Sequence, residues 1–184
     1  MKTNSSLSAK LAICLLVFII SGSLSAQVRM GVLPVNVSAV QHTALNNQQW
    51  NDFAVQMQEH LIIQLGVVGQ VNPLTREHVL LALEGMPKLN PDNLNAAAIK
   101  ELVKREKYNY LLFASFESIK VTDKEILIPA NIILYDDKGG SHWKGRVDIQ
   151  GPRPAEPLNE DKLLNEVVKP SLEDVLEQLR TLKY

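Results

Sequence analysis

The residues best placed to do chemistry are Asp136 and Asp137, in the stretch NIILYDDKGGSHWKGRV from Asn131 to Val147. Paired carboxylates can bind a metal ion or act as acid and base. A calcium loop of the form D-x-D-x-D-G needs further oxygen ligands at alternating positions. Here Lys138, Gly139 and Gly140 follow instead. Adjacent strand residues also point to opposite faces, so these two carboxylates converge poorly on one ion. Asp hydrogen-bonds its own backbone and Gly accepts positive φ, which favours a hairpin turn. The histidines are His42, His60, His78 and His142, and none has a partner at HExxH spacing. There is no G-x-S-x-G elbow, and Gly139-Gly140 stands alone without GxGxxG or a GKS or GKT phosphate loop. A glycosidase-like acidic pair is set by the fold and not by spacing, so the 20 acidic residues carry little information about one. The expectation is a non-enzyme with no catalytic residue, no metal site and no cofactor.

The aromatics are the other candidates. Trp50 opens a helical stripe, and Tyr135 and Trp143 lie on either side of the predicted turn. Such residues ordinarily fill a core. Trp and Tyr are also enriched at interface hot spots, so Trp143, Tyr135 and Trp50 are the candidate interaction anchors.

These side chains must be held by the elements around them. Val28 to Val37 is rich in β-branched residues and reads as a strand that ends or bends at Pro34. Phe53, Ala54, Met57, Leu61 and Leu65 recur at helical steps, which predicts a helix over 51–65 capped by Asn46 or Asn47. A short strand over 70–73 and a short helix to Glu84, capped by Thr75, come next. A helix after Pro91 runs to about Lys107. Strands are predicted over 108–119, 125–135 and 141–149, joined by turns at Thr122-Asp123-Lys124 and Asp137 to Gly140. The last strand alternates: Trp143, Val147 and Ile149 point one way, and His142, Lys144, Arg146 and Asp148 the other. Residues 151–157, GPRPAEP, read as a stiff connector. Residues 158–184 read as helix interrupted at Pro170, with a second start at Ser171.

The chain has 184 residues and a net charge of −1, with 19 basic and 20 acidic residues. That balance leaves no electrostatic footprint for nucleic acid. Residues 1–25 have the form of an export signal: Lys2 and Lys10, then the apolar run Leu11 to Ile20, then small residues. The apolar run is too short to span a bilayer, so no transmembrane segment is expected in the mature chain. Cleavage after Ser25 puts Ser23 at the −3 position, and cleavage after Ala26 puts Leu24 there; both stay open. Cys14 is the only cysteine, and Ile13 before it does not suit a lipidation motif. Residues 26–150 fit one domain.

Four stretches together resemble a known family. They are VRMGVLPVNV, FAVQMQEHLIIQL with VNPLTREHV, AAAIKELVKREKYNYLLFASF, and ANIILYDDKGGSHWKGRV. Their order is similar to that of the small periplasmic α/β domains of the TolB amino-terminal domain, CsgG, LpoB and PelC, with relatives in flagellar rings. The resemblance implies a single α/β (α+β) domain, strand-helix-strand-helix-strand-strand-strand with a C-terminal helix and a mixed sheet. It also implies a non-catalytic assembly module of a secretion, polysaccharide-export or flagellar machine. Such a module would be periplasmic or outer-membrane associated, dock to envelope proteins and form homo-oligomers. The propeller that follows the TolB domain and the long membrane hairpins of CsgG have no counterpart here. A soluble periplasmic protein that binds a small ligand is the alternative.

One physical argument supports assembly. The strands over 108–119 and 125–135 are apolar on both faces, and both faces need a cover. Helices 51–65 and 95–107 are expected on one face. The C-terminal helix or a second subunit is left to cover the other.

Overall fold

The computed structural model describes residues 27–40, 44–67, 70–84, 86 and 96–184. The expected export signal and the expected start of a helix at Pro91 lie outside these residues. The elements are β1 (Val28–Val32), α1 (Asn47–Gly66), β2 (Val71–Pro73), α2 (Arg76–Glu84), α3 (Ala96–Glu106), β3 (Tyr110–Phe116), β4 (Lys120–Val121), β5 (Glu125–Asp136) and β6 (Ser141–Pro152). The chain ends in α4 (Glu160–Lys162), a π-helical stretch (Leu163–Val168) and α5 (Lys169–Thr181). This is one domain with a mixed sheet and a C-terminal helix, as expected.

β1 lies between β2 and β3 and is parallel to both. β5 is antiparallel to β3 and β4 along one side and to β6 along the other. Pro129 sits in the middle of β5, where it cannot donate to a ladder. Its position falls between the stretch paired with β3, which ends at Ala130, and the stretch paired with β4, which begins at Leu127. Its carbonyl accepts the Glu117 N–H at 2.9 Å just past the end of β3, so only the return bond to Glu117 is given up.

Helix ends follow local chemistry. Asn46 caps α1 by accepting the Gln49 N–H at 2.9 Å, while Gln49 returns a bond to the Asn46 N–H at 3.1 Å. Thr75 Oγ1 accepts the His78 N–H at the start of α2.

The sheet divides the core in two. On the first face Met30, Leu112, Phe116, Ile128, Ile132 and Ile149 pack against Trp50, Phe53, Met57 and Leu61 of α1 and against the C-terminal helix. On the second face Leu33, Leu111 and Phe113 pack under Val79 and Ala82 of α2 and Ile99 and Leu102 of α3. Helices α1 and α3 therefore lie on opposite faces, which corrects the expectation that they share one. Handedness explains it. The chain steps outward from β1 to β2 through α1, then back across β1 to β3 through α2 and α3. Right-handed crossovers that travel in opposite directions put their helices on opposite faces.

The C-terminal helix is also continuous where an interruption was expected. Pro170 has no N–H and would clash with the carbonyl four residues before it in a regular α-helix. The preceding turn is widened, and the Lys169 N–H bonds Leu164 O, five residues back. The helix runs on with Pro170 in its first turn. Gly151 makes room for this segment: a Cβ there would meet the Val167 Cα at 3.3 Å.

Candidate interaction surface

The acidic cluster is a turn. Asp136 Oδ1 accepts the N–H groups of Lys138 and Gly140, each at 2.9 Å, and Asp136 O accepts the Gly139 N–H at 3.0 Å. Gly139 has φ +77°, and a Cβ there would lie 2.9 Å from Lys100 Cβ on α3. Asp136 therefore uses its lone pairs on its own backbone.

The turn leads into an irregularity. The β5–β6 register shifts between Leu134 and Tyr135, so Leu134 faces Trp143 while Tyr135 faces Ser141. A bulge of this kind re-aims a side chain. His142 turns toward Tyr110, with ring centres 5.0 Å apart. Tyr184 meets Tyr110 edge-on at 5.2 Å, and its hydroxyl donates to Leu179 O at 2.6 Å. Burial, then the nearby Tyr110, pushes the Tyr184 phenol up to about 12. The Tyr110 phenol is also raised, first by burial and then by the carboxylates of Asp137 and Asp136.

The three expected anchors separate. Trp143 is half-buried on β6 with its indole laid over Gly145, where a Cβ would run into the ring. Tyr135 is half-buried against the second core, and burial raises its phenol. Trp50 is 0% exposed and stacks edge-on with Phe53 at 5.5 Å. It presents nothing to a partner, so its expected role as an anchor is corrected to a core one. Tyr110 and Tyr184 were not singled out in the sequence as surface groups.

The cover of the sheet differs between its halves. α2 and α3 close the second face over β1 and β3. Over β5 and β6 that face holds a polar ladder. Arg146 pairs with Glu117 at 3.1 Å, Asn131 donates to Glu117 at 2.7 Å, and Gln150 donates to Glu125 at 2.9 Å. Leu127, Pro129 and Ile133 lie half-buried among these groups. The C-terminal helix or a second subunit was expected to cover the face opposite α1 and α3; instead the C-terminal helix lies with α1 on the first face, and α2 and α3 cover the most apolar part of the second. Elsewhere Ile63, Val67 and Leu81 stand out as large apolar side chains exposed at 63%, 71% and 67%.

Three of the clefts among the described residues are of note. One, of about 360 Å³, is lined by Ala44, Ile119, Val121, Arg153, Glu156, Pro157 and Leu158. Arg153 and Glu156 pair with each other inside it. A second, about 350 Å³, is lined in part by Lys100, Lys104 and Lys107. The third, about 210 Å³, lies between α1 and the π-helical stretch beside His60, Ile63 and Lys169. Among the described residues no group of three metal-binding side chains occurs. Among them, too, no helix is long and apolar enough to cross a membrane.

No family model matches the sequence, and no curated protein matches it. Solved structures are similar to it. The hypothetical protein CT253 from Chlamydia trachomatis is 11% identical, with a TM-score of 0.52 over 84% of this chain and 94% of that one. The LpoB C-terminal domain from Escherichia coli is 19% identical, with a TM-score of 0.47 over 71% of this chain and 92% of that one. A PelC dodecamer from Paraburkholderia phytofirmans is 13% identical, with a TM-score of 0.44 over 79% and 86%. The likeness to CT253 is one of fold alone.

Proposed function

We propose that this chain is a non-catalytic protein-interaction module exported to the bacterial cell envelope. One observation carries the reading: among the described residues, the β5–β6 half of the sheet has neither a helix over its second face nor a strand beyond its long edge. Strand edges and half-buried apolar strips are where other chains pair. The export signal read at residues 1–25 and the family resemblance of the four stretches agree with an envelope role.

The test uses the full chain expressed in a bacterium. Osmotic-shock fractionation with sequencing of the mature amino terminus checks export. Site-specific photo-crosslinkers at Lys144 and Ile133 then check for a partner. The reading predicts a periplasmic form that yields a discrete crosslinked species from these two positions. A chain retained in the cytoplasm, or crosslinking indistinguishable from a control position on α3, contradicts it. Light scattering on the same protein reports whether that species is a second copy.

A second reading, a small-ligand carrier, is favoured by the cleft of about 360 Å³. It ranks lower because the polar groups there are already engaged. Arg153 is held by Glu156 and by Thr122 O, and Glu156 also accepts the Leu158 N–H.

A further inference from the structure

The direction of the β6 backbone groups follows from hydrogen bonds at its end. The Arg153 N–H donates to Lys124 O at 2.9 Å, just past the Glu125–Pro152 pair. Antiparallel ladders alternate, so the odd-numbered residues of β6 turn their N–H and C=O groups toward β5. The even-numbered residues then turn theirs outward. Gln150 confirms this, because its outward groups meet α5. Ser171 Oγ accepts the Gln150 N–H at 3.3 Å, and its proton lies within reach of Gln150 O at 3.1 Å and Val167 O at 2.9 Å. Beyond Gln150, Pro152 has no N–H to offer. At the other end the bulge breaks the edge before Trp143. Between these stops, Lys144, Arg146 and Asp148 keep outward N–H and C=O groups with no strand beside them among the described residues.

We propose that this window takes an extended segment of a partner protein as a further antiparallel strand, with acidic side chains opposite Lys144 and Arg146 and a basic one opposite Asp148. This rests on the interaction-module reading and names its surface. Opposite charges directly across a ladder stabilise pairing, and like charges oppose it. Arg146 can serve an incoming carboxylate while keeping Glu117, since a guanidinium has five donors. On the helix-covered face, the partner's alternate residues would cover half-buried Trp143 and Val147. A second copy fits poorly. Antiparallel β6–β6 pairing centred on Arg146 sets Lys144 against Asp148, but it runs the other copy's hairpin into Ser171. Recentring on Lys144 sets lysine against lysine.

The experiment uses the isotope-labelled full chain and a short blocked peptide that alternates valine with lysine, glutamate and glutamate, in that order. On saturation, amide exchange at Lys144, Arg146 and Asp148 should slow by about ten-fold or more, with Gly145 and Val147 unchanged. The peptide's Kd should weaken by about ten-fold or more in the Lys144→Glu/Arg146→Glu double variant. N-methylation of the peptide amides that face β6 should abolish binding, an outcome independent of how the variant folds. The proposal is overturned if those amides are already protected in the free protein, if the peptide binds without changing them, or if it does not bind. Should the peptide fail to bind while a partner still crosslinks from Ile133, the module reading stands and this edge is lost.

Discussion

Gly139 shows how much a single position decides in this hairpin. Its φ lies in the region that costs other residues strain, and Lys100 fills the space where a Cβ would go. Gly139→Ala should destabilise the protein by roughly 1–3 kcal/mol, read as a lower midpoint in urea unfolding. His60 is a second case. Its Nε2 is buried without a partner among the described residues. Burial first, then Lys169 on the facing helix, holds its pKa below the ordinary 6.5, with Glu173 partly opposing them. The unfolded chain then binds the proton more tightly than the folded one. Stability is full above about pH 6.5 and falls as pH drops through the folded value. Urea midpoints measured across this range should slope downward on the acid side, and His60→Gln should flatten the slope. The turn itself was legible at this scale, because Asp and Gly act locally. The burial of Trp50 was not, since the first turn of an amphipathic helix reads the same whether it lies under another element or in water.

The elements were mostly legible as types, because strand alternation and helical stripes are local patterns. Their faces were not. Which side of the sheet α1 and α3 take depends on the β2-β1-β3 order, and no residue encodes that order alone. Pro170 misled for a related reason. A proline ends a regular α-helix, but the widened turn before it removes the clash, and nothing in LLNEVVKP announces the widening. On β6, Trp143 and Gly145 behave as one unit. Gly145→Val would drive the indole off the strand and should shift the Trp143 fluorescence to the red, read against a Trp50→Phe background. An unchanged spectrum would show that the ring does not rest there.

At the scale of the whole molecule, residues 158–184 are not an appendage. Leu163, Leu164, Val167, Val168, Leu172, Val175, Leu176 and Leu179 are all buried in the first core. At roughly 1.5–3 kcal/mol for each large apolar side chain, their burial matches or exceeds the roughly 5–15 kcal/mol by which domains are stable. A chain ending at Pro157 should show no cooperative unfolding transition by circular dichroism. The Pro-rich run GPRPAEP suggested a boundary there, yet β6 continues through Pro152, and Gln56 and Arg180 tie α1 to the terminal helix through Asp161 and Gln64. A core completed from both ends also sets when the chain can mature. Translation delivers α1 early and its packing partner only after every strand has been made. A nascent chain still on the ribosome therefore holds this apolar surface open until synthesis is nearly done.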